Sequence, residues 1–535
     1  MLQERSVIMQ KEYKADIVII GGSLGGVAAA LAAAKMGKKV ILTEETKWLG
    51  GQLTSQAVPP DENHWIEKFG STRSYRQLRD GVRAYYKTHM PLTQQARDTY
   101  YLNPGNGFVS RLCHDPRVTV AVIDQMLSPY TLSGRLTVWT RHKIKEASTE
   151  GDQVKAVVVT NLDSGDEKVL NASYFLDATE CGDVLPLTGV EYVTGSESKK
   201  DTGELHALDG EADPLDMQSI TWCYAIDHMD GEDNTISKPE QYEFWKTYKA
   251  DFWPGPMLSW KSHHPITLEE REHTLFQVDE RHSLWSYRKI ADKNNYTAGT
   301  FDSDITIVNW PQNDYWLGPV YEVPEEEVNK HLEGARQLSL SFLYWMQTEA
   351  PRPDGGIGYP GLRLRADVVG TEDGLAMYPY IRESRRIKSE FTILEHYVSP
   401  LARGEKGALK FKDTVGIGHY RMDLHPSTSN RNYIDNSCLP FQIPLGSLIP
   451  IRVENLLPAC KNLGTTHITN GAYRLHPVEW NIGESAGFLV AYALDHNTNP
   501  RAVRNDENLL KDFQRHIESH GVELDWPRIL LRLPR

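Results

Sequence analysis

Gly21-Gly22-Ser23-Leu24-Gly25-Gly26 and the acid Glu44, roughly twenty residues further on, have the types and spacing to hold a dinucleotide. Gly21 lets the chain turn sharply off a strand. The amides that open the following helix, with the positive end of its dipole, hold a pyrophosphate. Gly26 lets that helix lie close to the strand. Glu44, followed by Glu45, is placed to accept hydrogen bonds from ribose hydroxyls, and an acid there disfavours a 2′-phosphate. The GxGxxG pattern would put glycine at position 23, where this chain has Ser23. Serine is the smallest polar substitute, and its hydroxyl is able to bond a phosphate oxygen. The elements that must position these residues are legible. Ala15–Ile20 (ADIVII) reads as a strand buried on both faces, VAAALAAAKMG as a helix closed by Gly37, and Lys39–Thr43 (KVILT) as a second strand. A plain βαβ unit with a Gly-rich turn is the other reading of this pattern. Gly356-Ile357-Gly358-Tyr359-Pro360-Gly361 fits the same letters, but PRPDG precedes it in place of a strand and Pro360 stands where a helix should build. It reads as a loop.

Trp48-Leu49-Gly50-Gly51-Gln52-Leu53-Thr54 follows the acid. Two adjacent glycines here are not needed for NAD and permit close approach of the chain to a flavin cofactor. The segment VIIGGSLGGVAAALAAAKMGKKVILTEETKWLGGQLTSQ resembles the FAD-dependent oxidoreductase family, within the superfamily that has a glutathione-reductase-like FAD fold. Members carry GG[ST]xxG and WLGGQLT, so Ser23 fits the narrower pattern. Tyr174–Asp183 (YFLDATECGD) is similar to the family's second FAD signature, which implicates Ala178, Thr179 and Asp183. Asn455–Ala493 is similar to its closing signature: the strand NLLPA, a flavin-side loop, Arg474, then a helix with Pro477, Asn481, Gly483 and Gly487. The resemblance implies FAD as cofactor. It implies contacts from Gly21 to Gly26 (with Gly22, Leu24 and Gly25 through their amides), Glu44, Glu45, Gly50, Gly51, Gln52, Ala178, Thr179, Asp183, Arg474, Pro477 and Asn481. No metal site is expected.

Oxidation of a C–H bond by a flavin needs the carbon at N5 and, for an alcohol or amine, a base for the proton. Histidine suits that task, with an ordinary pKa near 6.5. His467 lies in the segment that should pass the flavin and ranks first; His419, beside Tyr420 and Arg421, ranks second. Each histidine also has a structural reading as a hydrogen-bonded loop partner. The run Arg382-Glu383-Ser384-Arg385-Arg386 is either a helix with surface salt bridges or a carboxylate or flavin contact. The expected reaction is hydride transfer between a small polar substrate (a sugar, polyol or amine) and flavin N5. A flavin-dependent reductase, an aromatic hydroxylase and a non-catalytic flavin-binding protein are the alternatives.

With 535 residues, the chain exceeds one ordinary domain. The implied fold class is α/β: a Rossmann-like FAD-binding domain with a β-meander, plus an inserted α+β substrate or cap domain. The FAD domain is expected to be discontinuous, 14–205 and 370–500. Its meander is expected in the alternating runs of 135–177, with 61–109 covering the flavin. Residues 206–369 hold eight of the 13 tryptophans and read as the cap, and 501–535 as a helical tail. Aromatic density has two readings, core filling or an aromatic-lined cleft. Asn309-Trp310-Pro311 with Asn313-Asp314-Tyr315 is the densest polar–aromatic cluster there. A net charge of -14 excludes a general polyanion binder. The five dispersed cysteines argue against a disulfide framework and against a dithiol redox relay. With no apolar run long enough for a leader or a membrane span, the chain reads as cytoplasmic. The expected partners are a small-molecule substrate and an electron acceptor of unspecified class, with no nucleic acid and no membrane, and with room for a homo-oligomer.

Overall fold

The computed structural model describes residues 11–279 and 282–527. Its centre is a parallel five-stranded sheet in the order Leu136–Thr140, Val40–Glu44, Ile17–Ile20, Tyr174–Asp177, Leu456–Pro458. The order reverses between Ile17–Ile20 and Tyr174–Asp177. The crevice at the carboxyl ends of such strands is where a dinucleotide lies in doubly wound sheets. Successive side chains of a strand point to opposite faces. Ile17 and Ile19 accordingly belong to the core under the helices, while Val18 and Ile20 belong to a second core with Val157, Val159, Leu170 and Phe175.

That second core is covered by a four-stranded sheet of Lys11–Lys14, Glu167–Asn171, Gln153–Asn161 and His142–Glu150. This is the meander, and its composition differs from the expectation. LTVWT and YFLD belong to the parallel sheet instead, and His142–Glu150 takes the missing place. LTVWT alternates like a half-exposed strand because it is an edge strand, with only Leu136 fully buried.

On the other face lies the helix Leu24–Lys35, crossed by the long helix His476–Asp495. Small residues let the two backbones touch. A Cβ on Gly483 would sit 1.9 Å from the Gly25 carbonyl oxygen, and one on Gly487 2.4 Å from that of Ala29. The alanines of VAAALAAAKMG are the matching flat surface.

Between 206 and 369 the chain forms an antiparallel sheet: Lys289–Ala291, Ile305–Val308, Tyr224–His228 and Leu362–Leu364. It carries the helix Glu325–Thr348 beside it, and Arg73–His89 is a helix within the segment 61–109. The short helix Glu507–Ser519 buries Leu510, Phe513 and Ile517; of the expected tail, 528–535 lie outside the described residues. Among the described residues no helix is long and apolar enough to cross a membrane.

Candidate active site

The glycine turn leaves no room for side chains. Gly21 has φ +95°, and a Cβ there would lie 2.3 Å from the Ala178 carbonyl group. On Gly25 it would lie 1.8 Å from the Ala459 oxygen. Ser23 caps the helix, its Oγ accepting from the Gly26 amide at 3.3 Å. Leu24 puts its side chain into the core. Glu44 accepts from the amides of Gly22 and Thr46, both at 2.7 Å. Burial, and next the charge of Glu45, push its carboxyl up to about 7. The WLGGQLT loop docks on the turn through Gly50, whose amide donates to the Gly22 carbonyl at 2.7 Å. One cleft is lined by Gly21, Glu44, Glu45, Gly51, Ala178, Thr179 and Asp183, which the structure thus brings together from three remote segments. Glu45 pairs with Lys143 at 3.2 Å, and Asp183 with Arg385 at 3.1 Å.

A polar chain leads inward from this cleft. Gln52 donates from Nε2 to the Arg474 carbonyl at 2.9 Å and to the Glu479 carboxylate. Glu479 Oε1 in turn accepts from the Gly25 amide at 3.2 Å, so an anionic oxygen already stands at the opening of the nucleotide helix. Gln52 Oε1 is buried without a partner. The tight glycine cradle and the orphaned Gln52 oxygen fit FAD. Gly21–Gly26, Glu44 and Gln52 would hold it. Pro477 sits in the first turn of His476–Asp495 as expected. Asn481 is turned elsewhere. Its amide donates to the Val415 carbonyl at 3.2 Å and accepts from the Ile417 amide at 3.3 Å, which fastens the helix to the strand Thr414–Gly418.

Beyond Arg474 opens a cavity of about 390 Å³. Arg474 is buried in its wall, donating to the Tyr380 hydroxyl at 2.7 Å and to the Asp423 carbonyl at 3.0 Å. Tyr420 and Arg421 also line it, Arg421 being paired with Asp435. Asn309, Trp310 and Pro311 form another part of the wall. All eight tryptophans between 206 and 369 are buried, and of them only Trp310 reaches the cavity. The others fill the core, and the aromatic faces presented to the cavity are chiefly tyrosines.

The cavity holds a histidine that sequence reasoning passed over. His425 Nδ1 lies 2.6 Å from Asp314 Oδ2. Asp314 is fully buried and also receives Arg382 at 2.9 Å and the Thr221 hydroxyl. Burial opposes its charge, but Arg382 and His425 hold its carboxyl below the usual range. In the neutral imidazole this contact keeps the proton on Nδ1, and Nε2 lies 3.8 Å from Asp423 Oδ2. The sequence signals were Asp314 in the polar–aromatic cluster and the His419–Arg421 run just before Asp423. The contact of Asp314 with His425 joins residues 111 apart in the chain.

The two histidines ranked first do not reach this cavity. His467 opens the helix His467–Tyr473 and is buried, with Nδ1 2.9 Å from both oxygens of Glu383. Glu383 also meets Arg386, which reaches Glu197 at 2.8 Å. His419 is wedged among Trp65, Trp526 and His64, and burial pushes it down to about 4. His476 accepts from the Asp61 amide at 3.0 Å and is likewise pushed down, to about 3, by burial. The run 382–386 is neither helical nor exposed. It is extended and buried between segments, each arginine meeting its own acid. The five cysteines are buried and unpaired, and among the described residues no group of His, Cys, Asp or Glu is arranged to hold a metal ion.

Comparison with known proteins adds to this geometry. Over 89 residues, 16% of this chain and 14% of the other, the sequence is 37% identical to NADH oxidase from Thermoanaerobacter brockii. The match thus spans about a seventh of that relative's length. Among solved structures, an E. coli quinol fumarate reductase is similar over 95% of this chain and 74% of its own, at 10% identity and TM-score 0.32. Anhydrotetracycline hydroxylase from Streptomyces rimosus is similar over 95% and 67%, at 11% identity and TM-score 0.32. The model of the family described as FAD dependent oxidoreductase matches residues 16–517, nearly the whole chain, and the protein belongs to that family.

Proposed function

We propose that this FAD-dependent oxidoreductase oxidises a small polar alcohol or amine held in the cavity beside Arg474, with His425 as the proton acceptor. The carrying observation is the Asp314–His425 pair, which stands in the wall of a cavity joined to the cofactor residues through Arg474 and Gln52. Bound FAD supplies the hydride-accepting ring. The C–H bond of the substrate breaks with its electron pair leaving as hydride, the hydroxyl or amine proton goes to His425 Nε2, and a C=O or C=N bond forms. Asp314 orients the imidazole and stabilises its charged form, as the acid of a triad does. Arg474, itself bonded to the Tyr380 hydroxyl, holds Asp423 beside it. Residues 206–369 are read as the cap, because they contribute Arg288, Trp310 and Asp314 to a site whose other wall is Tyr380, His425 and Arg474. In the same reading, residues 14–205 and 370–500 make up the FAD-binding domain.

The test is anaerobic bleaching of the purified yellow protein by a panel of polyols, sugars, amines and hydroxy acids. His425→Ala should keep its FAD and lose bleaching by the active compound. Bleaching at the wild-type rate would remove His425 from the chemistry. Reduction by NAD(P)H with no response to the panel would replace this reading by a reductase or hydroxylase.

A further inference from the structure

The cavity wall departs in charge from the acidic chain around it. Five arginines line it: Arg271, Arg288, Arg382, Arg421 and Arg474. Three are matched by acids, Arg382 by Asp314, Arg421 by Asp435 and Arg474 by Asp423. Arg288 is not. It is 7% exposed, and the Asp61 oxygen facing Nη2 is 3.8 Å away, beyond hydrogen-bond reach. Its Nε and Nη1 are buried without any acceptor. Burial also pushes the Asp61 carboxyl above its usual range, which weakens the one countercharge at hand. Arg271, at the rim, has only the Ser262 hydroxyl at 3.3 Å and no acid among the described residues. An unsatisfied guanidinium in a desolvated wall is costly unless a ligand completes it. Its planar fork matches the two oxygens of a carboxylate.

We propose that Arg288 is a carboxylate-binding residue and that the molecule taken into the cavity is a carboxylate-bearing alcohol or amine, such as a hydroxy acid, sugar acid or amino acid. The oxidation of that molecule rests on the function proposed above; the carboxylate site itself does not. In the step already written, the carboxylate is unchanged. Its role is to fix the neighbouring C–H bond and hydroxyl or amine relative to His425. Arg271 at the mouth adds an attractive field that raises the local concentration of anions over that set by the net-negative surface.

The experiment compares acids with their neutral amides on the FAD-loaded protein. Acetate and acetamide, lactate and lactamide, and benzoate and benzamide are titrated while the visible flavin spectrum is followed. At least one acid should bind saturably and at least tenfold more tightly than its amide. Arg288→Gln should weaken that acid by about 10- to 150-fold, the range for lost charge-assisted hydrogen bonds, and leave the amide unchanged. Arg288→Lys, which keeps the charge without the fork, should recover part of the loss. Equal binding of acid and amide, no saturable binding by any acid, or an FAD-loaded Arg288→Gln protein with undiminished acid preference would overturn the proposal. If acids bind through Arg288 but nothing in the wider panel bleaches the flavin, the carboxylate site stands and the proposed reaction falls.

Discussion

A ribose role for Glu44 predicts that FAD binding depends on pH in a direction that can be worked out. In the protein without cofactor its carboxyl is pushed up to about 7, against about 4.5 when unfolded, chiefly by burial. The folded chain therefore binds more protons than the unfolded chain between about pH 4.5 and 7. Its stability falls as pH rises through that window and levels off above it, by about 3 kcal/mol for this group. Ribose hydroxyls donate to the ionised form, so FAD binding must release the proton wherever Glu44 is still protonated. At about pH 6 only about a tenth of the groups are ionised, so affinity should be about tenfold weaker than at about pH 8. The ceiling is the worth of the charge-assisted bonds, about 1.5–3 kcal/mol or roughly 10- to 150-fold. Apoprotein titrated with FAD, followed by flavin fluorescence from about pH 5.5 to 8.5, gives the slope. Glu44→Gln, which cannot ionise, should bind FAD weakly at every pH and lose that part of the slope. Asp177, Glu45 and Glu180 are also raised by burial and supply the background common to both proteins. A flat wild-type profile, or the same slope in both proteins, would refute the ribose role of Glu44.

The remaining predictions separate chemistry from scaffolding. Asp314→Asn should keep FAD and slow flavin reduction by substrate about 10²–10⁴-fold, as His425 loses its orienting carboxylate; stopped-flow rates within tenfold of wild type would contradict the pair. His467→Ala should remove one buried partner of Glu383, leaving Arg386, and cost about 1.5–3 kcal/mol in urea unfolding, while the folded fraction keeps its single-turnover rate. Lost turnover at undiminished stability would return His467 to the role of base. Gly483→Ala should drive a methyl group onto the Gly25 carbonyl, cost about 1–3 kcal/mol and release FAD; a fully loaded variant with unchanged melting temperature would show that the two helices yield there.

The cofactor half of the molecule was legible because its requirements are local. A turn with no room for Cβ, an alanine-rich helix and an acid ending the next strand must follow one another in the chain, and Gly21, Gly25, Gly26 and Glu44 do. The meander was harder to divide. An edge strand such as Leu136–Thr140 shows the same alternation as a strand of the covering sheet, and only pairing tells them apart. The substrate side was least legible. His425 stands in LHPSTSN, which carries no pattern of its own, and becomes notable only through Asp314 on a distant turn. His467 and His419 looked apt for the opposite reason. Both sit in polar runs near cofactor signatures, but those runs also have to satisfy buried charges, Glu383 in one case, and line an aromatic cluster in the other. The arginine run at 382–386 misled in the same way, since closely spaced charges suit an exposed helix yet here each arginine reaches a different acid across a seam between segments.

The pairing of Gly25 with Gly483 explains why the FAD signatures carry force together and little singly. The helix Leu24–Lys35 aims its amides at the crevice, and His476–Asp495 is clamped to it at Gly483 and Gly487, with both contacts at backbone distance. That clamp fixes the start of the second helix, with Arg474 and Glu479, against the glycine turn. Gln52 then bridges the two, bonding the Arg474 carbonyl and Glu479 from the loop that Gly50 docks on Gly22. The guanidinium of the same Arg474 forms the cavity wall beside Asp423 and His425. A change that loosens the helix pair must therefore shift the wall of the cavity as well as the cofactor cradle.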